Sequence, residues 1–345
     1  MSRTFFVLRE VPSPTGGPNI AISFAKILKQ NGVDVSLLYS SPDYFYPFLD
    51  HTTIPTAYVP TRPPRSLKRR VWDLFQPAEP KNPAIRKQGA NTLVSVTAED
   101  VLVLPEYDYA IRRHFFPQGR HVLFCQGYAP LFYDALALGP DRRAIYADLT
   151  ATIATSELCA DAVRAFTGLE PAVVPLSLSR DRYQFQQKKK KQIAYMPRRR
   201  GQELGGLVTL LGAEPALKGY AFVAIDQMSA PQVDAVLAES LIFLSGSQGD
   251  GFGLPPAEAM AMGCIAIGYT GNGGAEYLTP DVGFPLPEDN TVAFYSTVLR
   301  VIEEYETDAV RLDAMRKRAS EAILGRYTVD ETTKQLLNFW KTLEL

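Results

Sequence analysis

A chain of 345 residues is too long for one compact core and fits two domains of ordinary size. Hydrophobic residues at 46% and charged residues at 21% exclude a disordered chain, and a net charge of −1 supplies no global field favouring nucleic acid as the main partner. Three separated cysteines, Cys125, Cys159 and Cys264, form no CxxC pair, which excludes an evident zinc site and fits buried thiols in a reducing compartment.

The N-terminus runs straight into a strand-like apolar stretch and lacks the long apolar segment of a signal peptide. No apolar run approaches the roughly 20 residues that span a bilayer. A soluble, cytoplasmic protein is expected.

In chain order, Phe5 to Leu8 reads as a strand. A proline- and glycine-rich loop follows, containing Gly16 and Gly17, and then a helix from Asn19 to about Gln30 with Ile20, Phe24, Ile27 and Leu28 at helical spacing. Gly32 ends it, and Val33 to Tyr39 is the next strand. Strand, glycine loop, helix, strand opens a doubly wound α/β domain. Residues 60–90 break this pattern with prolines and the basic run Arg62, Arg65, Lys68, Arg69 and Arg70, and read as a surface excursion. Strands resume at Val101 to Leu104, His121 to Cys125 and Thr152 to Thr155, with Ser156 as the N-cap of a helix from Glu157 to Phe166.

A polar stretch containing Lys188 to Lys191 then reads as a linker. The second α/β unit has strands at Ile193–Tyr195, Ala221–Ile225, Leu241–Leu244 and Cys264–Ile267, with helices including Gln232–Glu239 and Pro256–Met262. The remaining residues are mainly helical. The expected organisation is a first domain over 1–175, a linker over 176–192, a second domain over 193–325, and a final helical segment over 326–345.

The stretch from Ser245 to Gly263 carries the chemistry. A strand ends, a glycine-rich turn follows, and a helix starts at Pro255 and Pro256 and ends at Gly263. Gly251 and Gly253 let backbone approach a ligand, and the helix N-terminus behind them presents free N–H groups and partial positive charge, which suits a diphosphate. Asp250 and Glu258 flank the turn. Carboxylates repel phosphate, so ribose and sugar hydroxyls are their expected partners; an ordinary glycine turn is the competing reading. Arg198, Arg199 and Arg200 follow the first strand of the second unit, and guanidinium forks match phosphate oxygens; a solvated basic turn is the alternative.

The run from Asp250 through Phe252, Leu254 and Glu258 to Ala261 resembles the E-G-F-G-L-P-x-x-E-A-M-A signature of the retaining GT-B glycosyltransferases called glycosyl transferases group 1. Gly271 to Glu276, Ala154 to Glu157, and Arg326-Tyr327 with the segment after Thr333 resemble further elements of that family. Two departures stand out: Asp250 replaces the first glutamate, and the usual Arg and Lys appear as Arg198 to Arg200. The resemblance implies two Rossmann-like domains facing each other across a cleft, with a C-terminal helix crossing back to the first. It implies transfer of a sugar, with retention, from a nucleotide-diphosphate sugar to a glycan, lipid-linked or other hydroxyl acceptor. UDP or GDP is the expected nucleotide, as co-substrate rather than cofactor. The chain contains no Asp-x-Asp, so no metal is expected.

The catalytic candidates are Arg198, Arg199, Asp250 and Glu258. Donor-binding candidates are Gly16, Gly17, Arg200, Gly251, Phe252, Gly253, Leu254, Gly273 and Gly274. Glu106, Gln126 and Tyr128 follow predicted strands and are candidates for the acceptor side, against the plainer reading of loop hydrogen-bonding residues.

The loop Thr15 to Pro18 lacks the GxGxxG spacing of a dinucleotide oxidoreductase, and no GxxxxGK[ST] is present for a P-loop NTPase. Three alternatives remain beside the glycan transferase. The first is a transferase on modified DNA, held through Arg62 to Arg70 and the lysine run. The second is a non-catalytic subunit that binds the sugar nucleotide. In the third, residues 60–90 rest on an anionic membrane at its inner face, with Trp72 and Phe75 inserted, as a peripheral enzyme.

Overall fold

The computed structural model describes residues 2–11, 16–59, 91–106 and 116–343. The excursion at 60–90 therefore lies outside the described residues.

The first sheet is built from β1 (Thr4–Val7), β2 (Val35–Tyr39), β3 (Thr56–Tyr58), β4 (Thr92–Leu93), β5 (Val101–Pro105), β6 (Arg120–Cys125), β7 (Ala151–Ala154) and β8 (Ala172–Val173). All pairings are parallel, in the order β4-β3-β2-β1-β5-β6-β7-β8. β1 and β5 are buried along their whole length, which is why they read as unbroken apolar runs rather than as alternation. Crossing helices are α1 (Gly16–Gln30), α2 (Tyr128–Leu138), α3 (Arg142–Tyr146) and α4 (Glu157–Thr167). Ser156 caps α4 as expected: its side chain accepts from Cys159 N, and Gly168 closes the helix at φ 79°.

The second sheet comprises β9 (Lys190–Tyr195), β10 (Ala221–Ala224), β11 (Ser240–Asp250), β12 (Ile265–Asn272) and β13 (Phe284–Leu286), again parallel, in the order β10-β9-β11-β12-β13. Its helices are α5 (Gly201–Gly212), α6 (Ala230–Glu239), α7 (Leu254–Ala261), α8 (Thr291–Thr307) and α9 (Val310–Arg326). α10 (Val329–Leu343) then returns to the first sheet. Thr332 Oγ1 donates to Pro175 O at 2.8 Å, Arg120 bonds Leu343 O, and Leu336, Phe339, Trp340 and Leu343 are buried. Among the described residues no helix is long and apolar enough to cross a membrane.

Both sheets have a switch point where strand order reverses, and ligands of such sheets gather outside the carboxyl ends of the strands there. In the first sheet it lies between β1 and β5, and in the second between β9 and β11. The arginine triplet follows β9 and the glycine turn follows β11, so one switch point holds both.

Three lysines of the run have partners. Lys190 and Lys191 belong to β9, and Lys189 donates to Leu237 O and Ala238 O at 2.9 Å each. Lys190 pairs with Glu239 and Lys191 with Glu306, both at 2.6 Å. Buried Arg316 of α9 fixes the preceding segment, donating to Gln186 O at 2.8 Å and to Gln187 O.

Candidate functional site

β11 runs further than the sequence suggests. It continues through Ser245 to Asp250, pairing Ser245 with Gly268 and Asp250 with Asn272 across a bulge. Gly268, at φ 132°, could not carry a side chain, since a Cβ would stand 2.4 Å from Ser245 O. The chain then turns at Gly253, φ 85°, and α7 begins at Leu254, one residue ahead of the paired prolines. Gly263 follows α7 at φ 83°, the C′ position expected for it. The free N–H groups of the first turn of α7 thus face the end of β11.

The three arginines have different fates. Arg198 is exposed and makes no ion pair or hydrogen bond among the described residues. Arg199 Nη2 meets Asp250 Oδ1 at 3.3 Å. Arg200 corrects an expectation: its guanidinium turns away into a cage of carboxylates. It bonds Glu203 at 3.1 Å, Glu288 at 2.9 Å and Asp289, and lies 4.5 Å over the Tyr269 ring. A cation so enclosed holds the start of α5 and is not offered to a phosphate.

Phe252 is a second correction. It is 3% exposed and packs at 5.0 Å on Tyr277 and 4.9 Å on Tyr327, so its ring belongs to the core rather than to a ligand. Tyr327 in turn donates to Glu276 Oε1 at 2.9 Å, which ties two of the resembling elements together. Leu254 is half-buried against the same core. Gly273 is buried, and a Cβ there would stand 2.4 Å from the Gly251 carbonyl carbon. Gly273 and neighbouring Gly274 therefore shape the turn by lacking side chains. Glu258 accepts a 2.6 Å hydrogen bond from Tyr183, and burial pushes its carboxyl above the usual range, with Tyr183 and Arg182 pulling it back.

The first domain meets this loop through the ends of β5, β6 and β7. Glu106 is 4% exposed and accepts from the backbone N–H groups of Gln126, at 3.1 Å, and Gly127. Burial lifts its carboxyl to about 7 despite those bonds. Gln126 Oε1 is buried with no hydrogen-bond partner among the described residues and lies 3.6 Å from where a Gly17 Cβ would be, while Gly16 opens α1. Asn272 Nδ2 donates to Tyr128 OH at 2.7 Å, and Ser156 Oγ donates to Gly251 O at 2.6 Å. The two halves are in direct contact at the glycine turn.

Ser156 and Asn272 as bridges, and Tyr183 behind Glu258, were not visible in the sequence, because each partner lies on another element. Only the capping role of Ser156 had a local signal. Ser156→Ala should cost about 1 kcal/mol in denaturant unfolding through the lost cap. A change of under about 0.3 kcal/mol would show that solvent caps α4 equally well. A separate groove of about 540 Å³ lies where α10 passes β7 and β8, lined by Thr150, Thr152, Glu170, Gln335 and Phe339, away from these residues.

Two parallel, Rossmann-like sheets meeting at their ligand-binding ends, with the last helix returned to the first, form the GT-B fold of glycosyltransferases. Residues 221–321, which hold the entire signature, match the model of the family described as Glycosyl transferases group 1. This is the family read from the signature. Among solved structures, TarM from S. aureus, a variant in complex with fondaparinux, alpha-GlcNAc-glycerol and UDP, superposes with a TM-score of 0.67 at 10% identity, covering 99% of each chain. Alr3699/HepE from Anabaena, in complex with UDP and glucose, gives 0.65 at 13% identity over 99% of this chain and 100% of its own. Sucrose-phosphate synthase from Thermosynechococcus elongatus gives 0.64 at 13% identity, over 100% and 99%. At these identities the likeness is one of fold. Against curated proteins the sequence has no match.

Proposed function

We propose that the protein transfers a glycosyl group from a nucleoside-diphosphate sugar, with UDP or GDP as the nucleotide, to a hydroxyl of a glycan or lipid-linked acceptor, with retention and without a metal ion. The observation that carries this reading is the glycine turn at the end of β11. It leads into the N-terminus of α7 with Arg199 beside it, Arg198 next in the chain, and the first domain's Gly17 and Gln126 opposite. The UDP complexes among the structural neighbours support the choice of nucleotide.

In this reading the diphosphate sits against the first turn of α7, and Arg198 and Arg199 take up charge as it leaves. Arg199 exchanges its bond to Asp250 for phosphate, which frees Asp250 for a sugar hydroxyl. Glu258 receives the ribose. The acceptor oxygen bonds to the anomeric carbon on the face from which the phosphate oxygen departs. That departing oxygen takes the acceptor's proton, so no protein base is needed. Gln126 and Tyr128 line the acceptor side, and Glu106 acts by holding their turn.

The test is thermal stabilisation by UDP, GDP, ADP and TDP without metal, on wild type and on Glu258→Ala. A nucleotide at ten times its dissociation constant adds about 1.4 kcal/mol of stability. One nucleotide should stabilise the wild type and not the variant. Binding by the wild type with no donor turnover, in glycan or lipid-linked acceptor assays, would make the protein a binding subunit instead. No binding at all would remove the transferase reading.

A further inference from the structure

The segment joining the two sheets passes behind the donor loop and is clamped on both sides of one tyrosine. Arg182 holds both oxygens of Asp234 on α6, through Nε and Nη2 at 2.8 Å each, and its guanidinium lies 4.8 Å from the Tyr183 ring centre. Downstream, Gln186 N donates to Met262 O at 3.2 Å, and Arg316 takes Gln186 O and Gln187 O. Between these clamps Tyr183 is 5% exposed, and its hydroxyl donates to Glu258 Oε1 at 2.6 Å. No hydrogen bond among the described residues reaches Glu258 Oε2.

A phenol fixed in place and giving its one proton to one carboxylate oxygen sets the rotation of that carboxylate. We propose that Tyr183 is a positioning residue for donor recognition: it occupies Oε1 of Glu258 and presents Oε2 as the single acceptor for a ribose hydroxyl. The proposal rests on the transferase reading above, since it needs a nucleotide at Glu258.

The side chains facing Glu258 are Tyr183 and Arg182 from the joining segment, Asp234 from α6, and Tyr277 from the turn after β12. Arg182 and Asp234 neutralise each other in their two-bond pair, which leaves the Tyr183 hydroxyl as the direct donor to the carboxylate. Burial and the Glu258 charge push Tyr183 far above the ordinary tyrosine range, so it remains a donor wherever the protein is folded.

The experiment is calorimetric titration of UDP and GDP into wild type, Tyr183→Phe and Glu258→Gln across pH 5 to 9. Phenylalanine keeps the ring beside Arg182 and removes the hydroxyl alone. For the nucleotide that binds wild type, Tyr183→Phe should weaken binding about tenfold at neutral pH, the size expected for a lost hydrogen bond to a charged group. Its loss of binding on acidification should also begin at higher pH than in wild type, because the ionised carboxylate has lost its donor. Glu258→Gln should bind weakly with no such midpoint. Wild-type affinity in Tyr183→Phe overturns the proposal. So does a weakening equal at every pH, which marks a structural role only. Equal binding by wild type and Glu258→Gln overturns the placement of ribose at Glu258, and with it the transferase geometry.

Discussion

Gly251→Ala is expected to lower transferase activity about 100-fold while leaving the chain folded. A Cβ at this position would stand 2.2 Å from Gln126 O and 2.7 Å from Cys159 Sγ. The first of these atoms is backbone on another domain and cannot swing aside. Gly251 does not hold a positive φ, so alanine suits its local conformation and the second domain folds around it. What the methyl group forbids is the contact between the halves. Displacing reacting groups by about 1 Å can cost on the order of 100-fold in rate. Measuring kcat/KM beside nucleotide affinity separates the effects: affinity should fall little, because the nucleotide loop stays intact, while turnover collapses. Full activity in the alanine variant would show that turnover does not require the halves to meet at this point.

Glu106 should make the protein less stable as pH rises through the weakly acidic range. In the unfolded chain its carboxyl titrates at the ordinary 4.5, whereas burial holds it at about 7 in the folded state. Between these values the folded protein keeps a proton that the unfolded chain has lost, so stability declines with pH. The contribution is complete below about 4.5 and gone above about 7, a difference of about 3 kcal/mol at 1.36 kcal/mol per unit. Glu106→Gln should remove this decline, seen as a flatter plot of unfolding free energy between pH 5 and 7. An unchanged slope would show that the carboxylate is solvated in the folded protein. Ionisation of Glu106 also strengthens its hold on the Gln126 and Gly127 amides, so stability and the order of this turn move in opposite directions with pH.

The strands at the centres of the sheets were legible because burial on both faces makes them uniform apolar runs, as at Val101–Pro105 and Arg120–Cys125. Edge pieces such as Thr92–Leu93 and Ala172–Val173 have only two residues, too few for any period to register. The glycine turn was legible as a motif but not as geometry. Nothing local says that β11 continues to Asp250, since Gly246 and Gly249 argue against a strand until β12 lies alongside. The same limit applies to the basic triplet. Arg198, Arg199 and Arg200 are chemically identical in sequence, and only Glu288 and Asp289, brought in after β13, decide which of them is enclosed. Phe252 was misread because a motif residue between glycines looks like a ligand contact. Its aromatic partners, Tyr277 and Tyr327, come from distant turns.

The return of α10 to the first sheet has a consequence for how the chain is made. Synthesis delivers β1 through β8 first, yet Leu336, Phe339, Trp340 and Leu343, which join the core around Phe6, Ile22 and Phe124, leave the ribosome only after the whole second sheet. Until then the first half has an uncovered apolar face, so its final packing waits on the second half. Early release of a nascent chain before Val329 would leave that face exposed, and such fragments should be substrates for chaperones or proteases rather than free-standing domains.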